Sequence, residues 1–156
     1  MKIKEITQFL EGIAPLNYQE SYDNSGLIVG NENKKVTSVL ICLDSVEEVI
    51  DEAIENGCNL VIAHHPIVFS GLKKLNGKNH IERIIIKAIK NDIAIYAIHT
   101  NLDNVEGGVS SKIANRLGLK NQKILSLKRG LLRKLEVYVP KENAREVQHA
   151  LFSSGA

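Results

Sequence analysis

Tryptophan is absent from this 156-residue chain, and there are only three Phe and four Tyr, so a core must be assembled from Ile, Leu, Val and Ala. Cysteine is nearly absent too. Cys42 and Cys58 form no C-x-x-C pair, which excludes a disulfide framework. Cys42 lies in an apolar run and reads as a small buried hydrophobe. This usage fits a reducing cytosol, so the expected location is cytoplasmic. No apolar stretch approaches the roughly 18 residues of a membrane span, and Met1 to Ile6 has no apolar core of a secretory leader. An excess of one charge is also missing. Twenty Lys and Arg face eighteen Asp and Glu, and a net charge of +2 does not imply nucleic acid. The densest basic cluster, Lys128 to Lys134, is either a small nucleic-acid patch or a solvated linker whose side chains lie along apolar surface; a nucleic-acid partner is not expected.

What is present is an ordinary globular mixture, 44% hydrophobic and 24% charged. Ile3, Ile6, Phe9 and Leu10 recur at helical spacing and predict an amphipathic first helix that stops near Gly12 to Pro15. After a polar stretch from Asn17 to Ser25, Gly26 to Gly30 predicts a short strand between glycines. Val36 to Leu43 predicts a second strand. Asp44 and Ser45 are suited to cap the helix that follows, with Ser45 and Glu48 in capping-box spacing. Val46, Val49, Ile50, Ala53 and Ile54 line one face of that helix, and Gly57 ends it.

Leu60 to Ala63 is a continuous apolar run, as in a strand covered on both faces. A Gly- and Lys-rich loop from Gly71 to Lys78 follows, then a helix carrying Ile81, Ile84, Ile85, Ala88 and Ile89. Ile93 to Ile98 predicts another strand, and Gly107-Gly108 opens a helix that ends at Gly118. The alternation implies an α/β fold: a mostly parallel sheet with helices on both faces. From about Arg129 the register changes. Leu135 to Val139 alternates up to Pro140 and reads as a strand, and Glu142 to Phe152 reads as a helix, together a β–α unit. Residues 1–128 are expected to form the α/β domain. Residues 129–156 are expected to begin a second α+β domain, with packing on the edge of the first sheet as the alternative.

In open α/β sheets ligands bind beyond the carboxyl ends of the strands. Two predicted strands end in unusual polar residues there: His64-His65-Pro66 and His99-Thr100-Asn101-Leu102-Asp103. Three imidazoles and a carboxylate thus collect on one edge. Adjacent strand residues point to opposite faces, so His64 and His65 suit two ions, or one ion once Pro66 has turned the chain out of the ladder. Asp103 could bridge two ions, which in two-metal sites lie roughly 3.5–4 Å apart. Mixed His and carboxylate donors suit Zn, Mn, Fe or Ni without choosing among them.

Each residue has a structural alternative. His64 and His65 could be a hydrogen-bonded strand terminus. His99 could be a ligand, an acid/base, a group orienting Asp103 or a water, or a core residue. Asp103 could cap or turn the chain. Asp44 could be an N-cap or reach the site from its own strand end. Thr100 and Asn101 could bind substrate or only satisfy the loop. His80 and His149 have no partner in sequence and read as surface residues. No phosphate loop, Rossmann fingerprint or nucleophile elbow is present.

The segment Tyr22-Asp23-Asn24-Ser25-Gly26-Leu27-Ile28-Val29-Gly30 resembles the Trp-Asp-Asn-x-Gly-Leu-x-Val-Gly segment of the GTP cyclohydrolase 1 type 2 homologue family, the dinuclear metal centre proteins. Leu43-Asp44, Glu48 to Ala53, His64-His65-Pro66, His99 to Asp103, Gly107-Gly108-Val109 and Leu117-Gly118-Leu119 continue the resemblance in order, over essentially the whole chain. It implies that His64, His65 and Asp103 ligate two divalent ions, and that the full-length assembly is a homo-oligomer, a hexameric ring. The chain departs from the pattern at Tyr22, where the family has Trp. It also lacks the C-terminal His-x-x-x-Glu that completes the family's site, because His149 is followed by Ala150 to Phe152 and Ser153. The expectation is an N-terminal part of a longer protein, with 135–156 resembling the start of an inserted domain.

Two functions follow as expectations. One is a metal-dependent hydrolase of a nucleotide or similar phosphorylated or cyclic compound, with His99 or Asp44 moving protons. The other is a non-catalytic, metal-stabilised scaffold or regulatory partner.

Overall fold

The computed structural model describes residues 1–126 and 134–155. Four short strands form one sheet: β1 (Gly26–Val29), β2 (Val39–Cys42), β3 (Leu60–Ala63) and β4 (Ala94–Ala97), in the order β1-β4-β3-β2. β2, β3 and β4 run parallel, with Val39 opposite Leu60 and Leu60 opposite Ala94. β1 lies antiparallel on β4, Gly26 opposite Ala97. The sheet is therefore mostly parallel, as expected, with one antiparallel edge. That edge has a consequence for the site: the start of β1 sits beside the end of β4.

Helices cover both faces. α2 (Glu47–Glu55) and α3 (His80–Lys90) pack on one, where Ile50, Ala53, Ile84, Ile85 and Ala88 meet Val61 and Ile95. α1 (Ile3–Ile13) packs on the other, where Ile3, Ile6 and Leu10 meet Leu60, Ala94 and Tyr96. The alternation of Leu60 with Val61, and of Ala94 with Ile95, divides these residues between the two faces. Each fully buried Ile contributes about 1.5–3 kcal/mol relative to exposure.

α3 starts with Asn79 accepting from Glu82 N at 2.9 Å. The buried Glu82 carboxylate reaches back to Asn76 N, Lys78 N and Asn79 Nδ2 at 3.1, 3.0 and 2.9 Å. These hydrogen bonds hold its carboxyl below the usual carboxylate range despite the opposing effect of burial. They fasten the end of the Gly- and Lys-rich loop to the helix.

Three local expectations are corrected. The second strand is shorter than 36–43, because its ladder with β3 extends only from Val39 to Cys42. The Ser45–Glu48 capping box does not form. Val46 occupies the N-cap position of α2, Ser45 is buried with its hydroxyl unpartnered among the described residues, and Asp44 turns elsewhere. Leu135 to Val139 forms no strand among the described residues, an alternating pattern being insufficient without a partner to complete a ladder.

Thr100–Asp103 forms a short helical turn, α4, and Val109–Arg116 forms α5. The chain divides into two compact units, 1–122 and 123–156, and the second contains α6 (Ala144–Ser153). The expected boundary at 128/129 and the basic cluster up to Arg133 lie outside the described residues. Among the described residues no helix is long and apolar enough to cross a membrane.

Candidate metal centre

Each of the three parallel strands delivers a chemical group at its carboxyl end. Asp44 lies two residues beyond β2, His64 and His65 directly follow β3, and His99 lies two residues beyond β4. Beyond the end of β3, outside the ladder, His64 N donates to Cys42 O at 3.1 Å and His65 N to Leu43 O at 2.9 Å. On the other side Ile98 N donates to Ala63 O at 2.9 Å. The main chain carrying the imidazoles is thus hydrogen-bonded on both sides before it leaves the sheet.

Regular strand alternation would separate His64 from His65. Instead their ring centroids are 4.9 Å apart, and those of His64–His99 and His65–His99 are 5.2 and 5.4 Å apart. One nitrogen from each ring lies within 4.8 Å of the others, a group that can hold a metal ion. The turn out of the strand at Pro66 overrides the two-residue period.

All three rings are held the same way. His64 Nδ1 donates to Ile98 O at 2.9 Å, His65 Nδ1 to Asp44 Oδ1 at 2.7 Å, and His99 Nδ1 to Asp23 Oδ1 at 2.9 Å. A carbonyl or carboxylate oxygen can only accept, so each Nδ1 carries the proton. In the neutral ring that leaves the Nε2 lone pair free on all three. Metal-binding histidines are characteristically oriented by an acceptor on the other nitrogen. The donor set therefore fits a divalent ion.

His99 is more buried than His65, its side chain 15% exposed against 41%. Its partner Asp23 has no side-chain exposure and accepts from five donors. These are Asn24 N at 2.7 Å, His99 Nδ1 at 2.9 Å, Ser25 Oγ and Thr100 N at 3.0 Å, and Thr100 Oγ1. Burial pushes the Asp23 carboxyl up, but the bonds from Thr100, His99 and Asn24 outweigh it and hold the group well below the usual carboxylate range. Asp23 is the functional-site residue that residue-by-residue chemistry missed. It sits in a polar stretch before β1, and only the antiparallel pairing of β1 with β4 brings it to His99. The available signal was its place in the Tyr22 to Gly30 segment.

Thr100 and Asn101 serve the loop. Thr100 Oγ1 accepts from Glu20 N at 2.9 Å while donating to Asp23. Asn101, fully buried, donates to Ala14 O at 2.7 Å and accepts from His99 N at 2.9 Å. Asp44 is not an N-cap; its carboxylate orients His65. Asp103 ends α4, half-buried, and is not a member of the three-imidazole group. His80 and His149 are exposed and lie outside that group. A cleft of about 460 Å³ between β1 and α3 is lined by Asn24 and Val68 but by none of the three histidines.

Residues 1–153 match the profile of the family described as Duf34/NIF3 (NGG1p interacting factor 3). The chain belongs to the Duf34/NIF3 family. Relatives of this NIF3-family chain include a GTP cyclohydrolase 1 type 2 homolog of Bacillus subtilis (strain 168), 43% identical over 154 residues, covering 98% of this chain and 41% of the relative. A protein of the same name from Staphylococcus aureus (strain COL) is 40% identical over 155 residues, covering 99% and 42%. Among solved structures, a Bacillus cereus protein related to NIF3 superposes with a TM-score of 0.76 at 41% identity, over all of this chain and 44% of that one. Reduced HcgD from Methanocaldococcus jannaschii gives 0.74 at 35% identity, over 81% and 50%. The NIF3-family chain spans about two fifths of the length of these curated relatives.

Proposed function

We propose that this chain carries part of a dinuclear divalent-metal centre, and that the centre hydrolyses a nucleotide or a related phosphorylated or cyclic compound. The observation that supports this most is the shared tautomer of three converging imidazoles, each protonated at Nδ1 against a fixed acceptor. His64 and His65 hold metal through Nε2, with Asp103 as the carboxylate ligand. The donor types suit Zn, Mn, Fe or Ni. Such an ion, when bound, lowers the pKa of a coordinated water and polarises the bond to be cleaved.

The remaining roles fall to the chain's own groups. His99 takes up or releases a proton at Nε2, and Asp23 stabilises the ring in its charged form. Asp44 acts through His65, whose ring it orients. Because the chain spans about two fifths of its curated relatives, the remaining ligands and a homo-oligomeric ring belong to the same proposal.

The test is metal content by mass spectrometry, beside GTP turnover, for the chain as given and for His64→Ala and His65→Ala. About one or two equivalents of metal, lost together with turnover in both variants, supports the proposal. Metal held by the wild type and lost in the variants, with GTP untouched throughout, favours a metal-stabilised scaffold. A chain that takes up no metal overturns metal binding by His64 and His65 in this part of the protein alone, and the same measurement on a full-length relative then decides the centre.

A further inference from the structure

Phe69 is 52% exposed, and its ring meets His99 edge-on, with centroids 5.7 Å apart and planes at 81°. A single exposed apolar residue is ordinary and needs no explanation. Two features set this one apart. First, its ring meets His99, one of the three converging imidazoles, and neither core cluster among the described residues includes it. Second, its backbone is tied to the same network that orients that imidazole. Asn24 Nδ2 donates to Val68 O at 2.7 Å, one residue before Phe69, while Asn24 N donates at 2.7 Å to Asp23 Oδ1, the atom that accepts from His99 Nδ1. Two adjacent residues, Asp23 and Asn24, thus hold the His99 ring and the main chain immediately before Phe69.

We propose that Phe69 is a specificity-determining wall of the site, on which a flat, conjugated heterocycle of the substrate stacks beside His99. Stacking on an aromatic side chain tolerates any such ring, because each has a π-face. The inference rests on the proposed hydrolytic site and adds the part of the substrate that it recognises: an unsaturated ring carried next to the bond that is cleaved.

The experiment compares GMP with ribose 5-phosphate, which keeps the sugar and phosphate and lacks the ring, by calorimetric titration of the metal-loaded chain. Wild type is expected to bind GMP more tightly than ribose 5-phosphate. Phe69→Leu is expected to weaken GMP by about 5–150-fold and leave ribose 5-phosphate unchanged, and Phe69→Tyr to retain the GMP affinity. Equal binding of the two compounds by wild type, absence of GMP binding, or equal loss of both in Phe69→Leu would overturn the proposal. Metal content of the same samples separates the two readings. Metal bound without ring discrimination sinks only the role of Phe69, and ring discrimination without metal uptake sinks only the metal centre.

Discussion

Asp23 Oδ1 accepts a hydrogen bond from His99 Nδ1 at 2.9 Å, across 76 positions of sequence. The two residues come from opposite kinds of strand end, Asp23 before antiparallel β1 and His99 after parallel β4. Replacing Asp23 by Asn keeps the shape but puts an NH₂ group either where Oδ2 accepts from Ser25 and Thr100 or where Oδ1 accepts from His99 and Asn24. The expected loss is about 1–3 kcal/mol of stability, read from urea denaturation. A change under about 0.5 kcal/mol, the size of an ordinary surface substitution, would show that the network is not structural.

The Asp44–His65 pair invites a different experiment, because Asp44 is 55% exposed and contributes little packing. Asp44→Ala is expected to leave the melting temperature of the metal-free chain nearly unchanged. Metal affinity should fall about 10–100-fold, as on losing a carboxylate that orients a ligating histidine. Competition with a chromogenic chelator measures it. An unchanged affinity would remove Asp44 from the site.

Glu82 predicts a pH dependence. Its folded-state carboxyl titrates below the unfolded value, which is about 4.3. Its contribution is therefore fully present above that value and is lost as pH falls through the lower, folded one. Glu82→Gln should be less stable than wild type at pH 7, with the gap closing in acid. A gap that stays constant from pH 7 to about 3 would contradict the assignment.

Gly30 closes β1 at φ +109°, and a Cβ there would lie 2.6 Å from Ala94 Cβ and 2.7 Å from Ala94 Cα. Both the backbone conformation and the backbone atom of β4 oppose a side chain. Gly30→Ala is expected to cost about 1–3 kcal/mol or more through overpacking, measured by thermal melting. A neutral result would mean that β1 can shift on β4 without loss.

Much of this molecule is local physics and was readable in the chain. The period-3.6 faces of α2 and α3 and the two-sided apolar runs of β3 and β4 follow from which side chains must leave water. The class of fold and the edge on which His64, His65 and His99 gather follow from the same patterns. The second strand's true length, the missing capping box and the absent strand at 135–139 were not readable, because each depends on whether a partner is in place. The same holds for the site's interior. Residue types and spacing identified the imidazoles but left open whether His64 and His65 point apart, as a two-residue period has it, or converge once Pro66 turns the chain out of the ladder; the tertiary structure brings their rings together. Nothing in the spacing joins Asp23 to His99, Asp44 to His65, or Ile98 O to His64. Those hydrogen bonds exist because strands distant in sequence lie side by side. They decide which nitrogen of each ring carries the proton, and so which lone pairs face a ligand.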